Sequence, residues 1–131
     1  MSVSENLKFG LRGGTRRERS EKVRASLDSA GLSGMEHRHP TTLSGGQRAR
    51  VSLLRTLLSN PHALLLDEPF SRLDVNLRST IREFTWESAS TLPTLLVTHD
   101  IDDVPAHAKT LSLYENQNEQ PENVDPVPRH A

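Results

Sequence analysis

The stretch Leu43–Asp74, LSGGQRARVSLLRTLLSNPHALLLDEPFSRLD, decides the fold of this chain. Ser44 can cap a helix, because its hydroxyl accepts a hydrogen bond from one of the first free N–H groups. The helix is predicted to run to about Leu58, and the pair Asn60-Pro61 ends it because the residue before a proline avoids helical geometry. An apolar stripe at helical spacing marks its buried face: Val51, Leu53, Leu54, Leu57 and Leu58.

A short apolar run follows this helix. Ala63–Asp67 is predicted to be a buried strand of a parallel sheet. Pro69 ends the strand and is expected to keep Glu68 extended. Asp74 can cap a further helix, from Val75 to about Ala89.

The segments downstream complete a strand–helix–strand pattern. Thr94–Val97 is predicted to be a second buried strand and Thr110–Tyr114 a weak third strand. The polar segment Asn116–Ala131 carries three of the eight prolines and is expected to be a disordered tail. Strands that alternate with helices predict an α/β layer with parallel strands.

The segment upstream is predicted to be helical. Ser4–Leu11 has a weak helical pattern. Thr15 and Glu18 have the spacing of a capping box, in which each side chain accepts a hydrogen bond from the other residue's N–H group. The helix that they open is expected to end at Gly31, a plausible C′ residue.

The composition limits the classes of function. The chain has 131 residues, enough for one domain, with 16 Lys and Arg against 17 Asp and Glu. It has no cysteine, so a disulfide framework and a thiolate metal site are excluded. No apolar run approaches the roughly 18 residues of a membrane span, and the N-terminus lacks the apolar core of a signal peptide. Three Phe, one Trp and one Tyr are too few to favour binding of single-stranded nucleic acid by stacking.

Two adjacent carboxylates, Asp67 and Glu68, are the first candidates for chemistry. They follow a predicted strand, and ligands of open α/β sheets bind at the carboxyl ends of the strands. Alternate side chains of a strand point in different directions, so one of the two acids can hold a hydrated Mg²⁺ and the other can orient or polarise an attacking water. The alternative interpretation is a pair of acids that caps the turn before Pro69.

The Ser44-Gly45-Gly46 turn and His99 are the other candidates. Glycines let a backbone approach a ligand closely, and the helix that follows directs N–H groups toward it, as in a phosphate site. The alternative for the turn is a plain helix cap. His99 can donate a hydrogen bond to a phosphate oxygen, and the alternative there is an ordinary loop histidine.

Taken together, these motifs resemble the nucleotide-binding domain of ATP-binding cassette (ABC) proteins. Leu43–Gln47 (LSGGQ) resembles the signature motif and Leu64–Pro69 (LLLDEP) the Walker B motif with its catalytic glutamate. Ser71–Asp74 (SRLD) resembles the D-loop, and His99 in VTHD resembles the switch histidine. The resemblance covers roughly Ser4 to Tyr114.

The resemblance implies a role for each matching residue. Asp67 would bind Mg²⁺ through water, and Glu68 and His99 would be catalytic, acting on the attacking water and the γ-phosphate. Asp74 would couple the two ATP sites of a dimer. The remaining ATP-binding residues would contact the γ-phosphate of an ATP held mainly by a partner subunit: Ser44, Gly45, Gly46 and Gln47.

The resemblance also implies an architecture and partners. The fold class is α/β, an incomplete P-loop NTPase domain of the ABC type with a partial, mostly parallel sheet and a helical subdomain. Residues 1–42 would be the helical segment, 43–114 the partial ATPase core and 115–131 the tail. The partners would be a second ABC ATPase subunit and the membrane subunit of a transporter, with no nucleic acid. The location would be cytoplasmic, at the inner face of the plasma membrane.

One motif of the family is missing from the sequence. A P-loop requires G-x-x-x-x-G-K-[ST], and none of Lys8, Lys22 and Lys109 follows a glycine. The sequence therefore predicts a C-terminal fragment that binds ATP and Mg²⁺ weakly or not at all on its own. It also predicts an exposed edge at Thr94–Val97, where the P-loop strand would pair. Arg72 stands where the D-loop usually has a small residue, and its bulk either disturbs the dimer contact or faces solvent.

Three functions follow from this reading. The first is an ATP-hydrolysing subunit of an ABC transporter, with segments such as EPFSRLDVNLR and VTHDIDDVPA resembling bacterial solute-uptake ATPases. The second is a non-enzymatic interaction module that complements or competes with an intact ABC ATPase. The third is a soluble ABC-type ATPase that acts on nucleic acid or ribosomes, and the absence of coiled-coil heptads and strongly basic tails argues against it.

Overall fold

The computed structural model describes residues 1–113. Two short 3₁₀ turns, Pro40–Thr42 and Ile101–Asp103, accompany six regular elements. These elements are helices α1 (Val3–Gly10), α2 (Arg16–Ser29), α3 (Gly45–Leu58) and α4 (Val75–Ser88), and strands β1 (Leu64–Asp67) and β2 (Thr94–Val97). No helix within this part of the chain is long and apolar enough to cross a membrane.

Capping boxes begin three of the helices. The Thr15–Glu18 box predicted for α2 is present, with the Thr15 N–H donating to Glu18 Oε2 over 2.7 Å. Ser44 caps α3 as predicted, and Gln47 completes its box. Ser2 and Glu5 form a further box at α1. Because these side chains occupy N–H groups that the helix leaves without partners, the helices begin at defined residues.

The helices pack into a single apolar core. Helix α1 contacts both α2 and α3, and Gly31 ends α2 with a positive φ of 64°, in agreement with its predicted place. The stripe predicted for α3 is buried except for Leu57, which is partly buried. The innermost apolar side chains come from all four helices and from two loops: Val3, Leu7, Val23, Leu27, Leu32, Leu54, Phe70 and Ile81.

The two strands pair in parallel, as predicted, with Leu64 opposite Thr94 and Asp67 opposite Val97. Helix α4 provides the connection between them. The prediction that both strands are buried holds for one face of β1 and is wrong for β2, in which no residue is buried and Leu96 alone is partly buried. Leu64 and Leu66 lie in the core, but Leu65 is 71% exposed and Leu95 is 63% exposed. The exposed edge predicted for Thr94–Val97 is therefore present, because no further strand among the described residues covers it.

Two other predictions concern the end of the chain. The third strand predicted at Thr110–Tyr114 is wrong for residues 110–113, which form no strand. Leu111 and Leu113 are exposed, so an extended strand would gain no burial of its apolar residues there. Tyr114 and the predicted tail Asn116–Ala131 lie outside the described residues, and the division into segments 1–42, 43–114 and 115–131 stays a prediction.

Candidate functional site

The carboxyl ends of both strands meet at one edge of the sheet. Asp67 ends β1 on the open face, next to Val97 of β2, and its side chain is exposed. The Glu68 N–H donates to the Val97 carbonyl over 2.8 Å, which extends the ladder by one bond beyond the paired strands. Since Glu68 follows Asp67 directly and His99 follows β2 by two residues, the structure brings these three side chains to one edge.

The backbone at Glu68 departs from the prediction. Glu68 has a φ of +46°, so the expectation that Pro69 keeps it extended is wrong. This region is uncommon for a residue with a side chain. The chain reverses there, and the Glu68 carbonyl accepts hydrogen bonds from the Ser71 N–H over 3.3 Å and the Ser71 hydroxyl over 3.0 Å. These bonds hold the turn against its local preference.

Glu68 and His99 form a direct pair. Glu68 Oε1 accepts the His99 backbone N–H over 3.0 Å and lies 2.7 Å from His99 Nδ1. An ionised carboxylate only accepts hydrogen bonds, so Nδ1 carries the hydrogen and donates it. The second oxygen, Glu68 Oε2, is buried without a hydrogen-bond partner. A buried acceptor of this kind is costly unless another group supplies the hydrogen bond.

This pair changes the acid–base behaviour of His99. The hydrogen bond to Glu68 raises the pKa of His99 above its ordinary value of 6.5, and the negative charge of Glu68 raises it further. The charge of Asp100 acts in the same direction, while burial and Arg78 oppose the shift. The side chain of His99 is 78% exposed, so it remains open to a ligand from solvent.

The turn before α3 uses its polar side chains within its own helix. The Ser44 hydroxyl accepts the Gln47 N–H over 3.2 Å, and Gln47 Oε1 accepts the Ser44 N–H over 2.9 Å. A side chain at Gly45 would meet open space, whereas a Cβ at Gly46 would lie 2.9 Å from the carbonyl oxygen of Arg72. Gly46 is therefore required for the close approach of α3 to the loop between β1 and α4.

A cavity of about 520 Å³ lies between α3 and the end of β1. Gly45, Asp67 and Glu68 line it together, and exposed Arg72 lies at the same cavity. Its residues do not include five of the predicted site residues: Ser44, Gly46, Gln47, Asp74 and His99. Within this chain, the cavity thus unites part of the predicted site.

Asp74 serves the fold locally. Its carboxylate accepts the Asn76 N–H over 3.0 Å and caps α4, as predicted. A carboxylate at the N-terminus of a helix also interacts favourably with the helix dipole. Within this chain Asp74 therefore acts as a helix cap, and its role between two ATP sites stays a prediction.

Sequence reasoning missed a buried ionic cluster beside His99. Asp103 has a fully buried side chain and pairs with Arg78 and Arg82 of α4. Burial alone would raise the pKa of Asp103, but hydrogen bonds from Arg78 and Thr98 and the two positive charges hold the pKa below its ordinary value. Asp103 is therefore ionised throughout the neutral range.

The sequence carried a weak signal for this cluster. Arg78 and Arg82 are four residues apart on α4 and so share one helix face. Asp103 stands beside Asp102 in an acidic turn, where both appear equally solvated. Only the tertiary fold distinguishes them, because it buries Asp103 and leaves Asp102 exposed.

Comparison with known proteins assigns the chain to a family. The sequence profile of the ABC transporter family matches residues 1–71. The chain therefore belongs to the ABC transporter family, and its fold is a partial P-loop NTPase domain of the ABC type.

Three similar proteins are ATP-binding proteins of transporters. An uncharacterised ABC transporter ATP-binding protein of Escherichia coli K12 is 49% identical over 118 residues, which are 86% of this chain and 53% of that protein. The sulfate/thiosulfate import ATP-binding protein of Brucella melitensis is 44% identical over 79% of this chain and 31% of its own length. The Fe(3+) ions import ATP-binding protein of Pasteurella multocida is 42% identical over 76% of this chain and 30% of its own length.

A solved structure shares the fold. It is an ATP-binding cassette in a dimeric post-hydrolysis state, bound to ADP and Pi. It is 30% identical with a TM-score of 0.67 over 79% of this chain and 48% of its own length. This chain thus spans about half the length of that cassette and of the Escherichia coli relative, and about a third of the two import proteins.

Proposed function

We propose that this chain forms part of the ATP-hydrolysing site of an ABC transporter that takes up a small solute. The observation that carries the proposal is the Glu68–His99 pair at the carboxyl edge of the parallel strands, beside Asp67. This edge is where ligands bind in open α/β sheets. The names of two relatives, import proteins for sulfate/thiosulfate and Fe(3+) ions, support uptake as the direction.

In this proposal Glu68 acts on the attacking water. Its Oε1 is held by His99, while the buried Oε2 has no hydrogen-bond donor of its own. A water that donates to the Glu68 carboxylate would be oriented by it for attack on the phosphate. His99 keeps a proton at Nδ1 toward Glu68, and its exposed ring would contact the γ-phosphate of ATP.

Asp67 fits the role of a magnesium ligand. Its carboxylate is exposed at the end of β1 and lines the same cavity as Glu68. Within residues 1–113, no cluster of three metal-binding side chains exists. Mg²⁺ suits this environment, because it commonly takes one or two protein carboxylates and completes its shell with water and phosphate oxygens. The ion would neutralise charge that develops on the phosphates.

The helix cap before α3 is proposed to contact the γ-phosphate of an ATP held by a partner ATPase subunit. Ser44, Gly45, Gly46 and Gln47 surround the N-terminus of α3, where helix N–H groups and the positive end of the dipole favour an anion. Gly45 lies in open space, which allows a phosphate to approach the backbone. Asp74 would couple the two ATP sites of that dimer, and a membrane subunit would complete the transporter.

A two-part experiment tests the proposal. The 131-residue chain with Mg²⁺ alone should show no saturable ATP binding and no phosphate release, because it has no G-x-x-x-x-G-K-[ST] segment. With a full-length ABC ATP-binding subunit, ATP should increase association of the two chains, as measured by analytical ultracentrifugation. Gly45→Glu should abolish that increase, because its carboxylate repels the phosphate, while an acid in the first turn suits α3 and a Cβ there meets nothing within 4 Å.

Ala25→Glu is the matched control, since Ala25 is exposed on α2. It should leave the ATP-dependent association unchanged. Phosphate release by the chain alone that Glu68→Gln removes would contradict the first part. Association that changes neither with ATP nor with Gly45→Glu would contradict the second part and favour a non-enzymatic interaction module.

A further inference from the structure

The buried cluster beside His99 has a defined geometry. Each oxygen of the Asp103 carboxylate has two hydrogen-bond donors. Oδ1 accepts from Arg78 Nε over 3.1 Å and from Arg82 Nη1 over 3.3 Å. Oδ2 accepts from Arg78 Nη2 over 2.7 Å and from the Thr98 hydroxyl over 3.0 Å. The bidentate bond from Arg78 fixes the plane of the carboxylate as well as its position.

The cluster fastens the chain on both sides of His99. Thr98 immediately precedes His99, and its hydroxyl also accepts the Asp100 N–H over 3.1 Å. Asp100 immediately follows His99 and pairs with Arg78 over 3.0 Å. The segment from 98 to 103 is therefore held onto α4 directly at Asp100 and Asp103, and Thr98 is tied to it through Asp103. His99 itself extends toward Glu68, which follows β1.

We propose that Asp103, held by Arg78 and Arg82, is a positioning residue that places His99 against Glu68. The contact between His99 and Glu68 joins the ends of two strands, and His99 has a mostly exposed side chain that little else restrains. Fastening its two neighbours to α4 limits the positions that its backbone N–H and its ring can reach. The importance of this contact for ATP hydrolysis rests on the proposed function, but the contact itself does not.

The chemistry of the cluster favours a positioning role over a general gain in stability. A buried ion pair gains little net stability, because the loss of hydration offsets much of the attraction. Removal of one partner is costly, since it leaves a charge buried without compensation. The planar guanidinium of Arg78 matches both carboxylate oxygens at once, and a lysine could donate to only one point.

Nuclear magnetic resonance of the whole chain tests this placement without ATP. The His99 backbone amide donates to Glu68 Oε1, so its hydrogen exchange reports the contact directly. Asp103→Asn replaces a carboxylate oxygen, which accepts hydrogen bonds, with an amide N–H₂ group that cannot accept them from the two guanidinium groups. Arg78→Lys keeps the positive charge but removes the bidentate hydrogen bond. Both should accelerate exchange of the His99 amide roughly tenfold or more and remove the ring signal shift caused by Glu68.

Asp102→Asn is the control, because it removes the neighbouring acidic charge from an exposed site. It should leave the His99 signals unchanged. The amide of Leu54, which is buried in the interior of α3, should keep its exchange rate in every variant and thereby report an intact fold. If Asp103→Asn unfolds the chain, Arg82→Gln removes only the longer contact of 3.3 Å and should give a smaller acceleration at His99.

Unchanged His99 exchange and ring signals in a folded Arg78→Lys or Asp103→Asn chain would overturn the inference. Equal acceleration at His99 and Leu54 would also overturn it, because it would show a loss of global stability. These outcomes do not depend on nucleotide, so a failure of the proposed ATPase role would appear only in the association and phosphate-release measurements.

Discussion

At the scale of single residues, Glu68 combines three unusual features. Its backbone has a positive φ, one carboxylate oxygen receives both donors of His99, and the other oxygen is buried without a partner. Strained backbone and unsatisfied polar atoms are costly, so a fold keeps them where other contacts enforce them. Their coincidence at the edge of the sheet distinguishes Glu68 from an acid that merely caps a turn.

The Glu68–His99 pair predicts that the stability of the protein depends on pH through the titration of His99. Glu68→Gln should lower the pKa of His99 toward 6.5, because both the ionic hydrogen bond and the negative charge are lost. A group whose pKa is raised by folding stabilises the folded protein at pH values below its unfolded pKa. This contribution disappears as the pH rises through its folded pKa. The wild type should therefore exceed Glu68→Gln in thermal stability more at pH 6 than at pH 9.

Titration of the His99 ring protons by nuclear magnetic resonance measures the shift. Asp67→Asn is the matched control, because Asp67 is the adjacent carboxylate but makes no hydrogen bond to His99. It should move the pKa of His99 less than Glu68→Gln does. An equal or higher pKa in Glu68→Gln would show that Glu68 does not hold the proton on His99.

At the scale of elements, the N-terminus of α3 and the loop before α4 are fitted to each other. The two glycines of α3 differ sharply in their surroundings, although they are adjacent in sequence. A Cβ at Gly46 would lie 2.9 Å from the Arg72 carbonyl oxygen, a backbone atom that cannot rotate away, and a Cβ at Gly45 would contact nothing within 4 Å.

This difference predicts that replacement by alanine has unequal effects on stability at Gly45 and Gly46. Gly46→Ala should lower the free energy of unfolding by about 1–3 kcal/mol, because it overpacks a rigid contact. Gly45→Ala should change it by less than about 0.5 kcal/mol, since the site is open. Urea unfolding followed by circular dichroism measures both values. Equal effects of the two alanines would mean that α3 and the loop are not in close contact.

At the scale of the whole molecule, the sheet has one open apolar face. Leu65 and Leu95 are neighbours in the parallel register, and Val97 extends the row with 47% exposure. Parallel sheets are normally covered on both faces. An exposed apolar face of this kind is a site for association with another chain.

We therefore expect the isolated chain to self-associate through this face. Leu65→Thr combined with Leu95→Thr should reduce association, as measured by sedimentation velocity over a range of concentrations. Val75→Thr is the control, because Val75 is 85% exposed on α4 and lies outside the sheet. A chain that stays monomeric and unfolds in a sharp thermal transition would contradict the expectation.

Local sequence signals predicted the elements but not all of their surroundings. The Thr15–Glu18 and Ser44 caps, the helices and the parallel pairing follow from spacing and from turn chemistry over a few residues. The burial of Asp103, the positive φ of Glu68 and the exposure of Leu65 depend on what packs against them. Asp102 and Asp103 look alike in sequence, and only α4 makes one of them part of the candidate site.

The contact between Phe70 and Trp86 provides an optical probe of the same region. Phe70 lies in the loop after Glu68 and meets Trp86 of α4 edge to face, with ring centroids 5.9 Å apart and planes at 79°. Trp86 is the only tryptophan in the chain, so the emission of the whole protein comes from an indole that packs on this loop. Detachment of the loop would change the wavelength or the intensity of the Trp86 fluorescence, so it could be followed without an added dye.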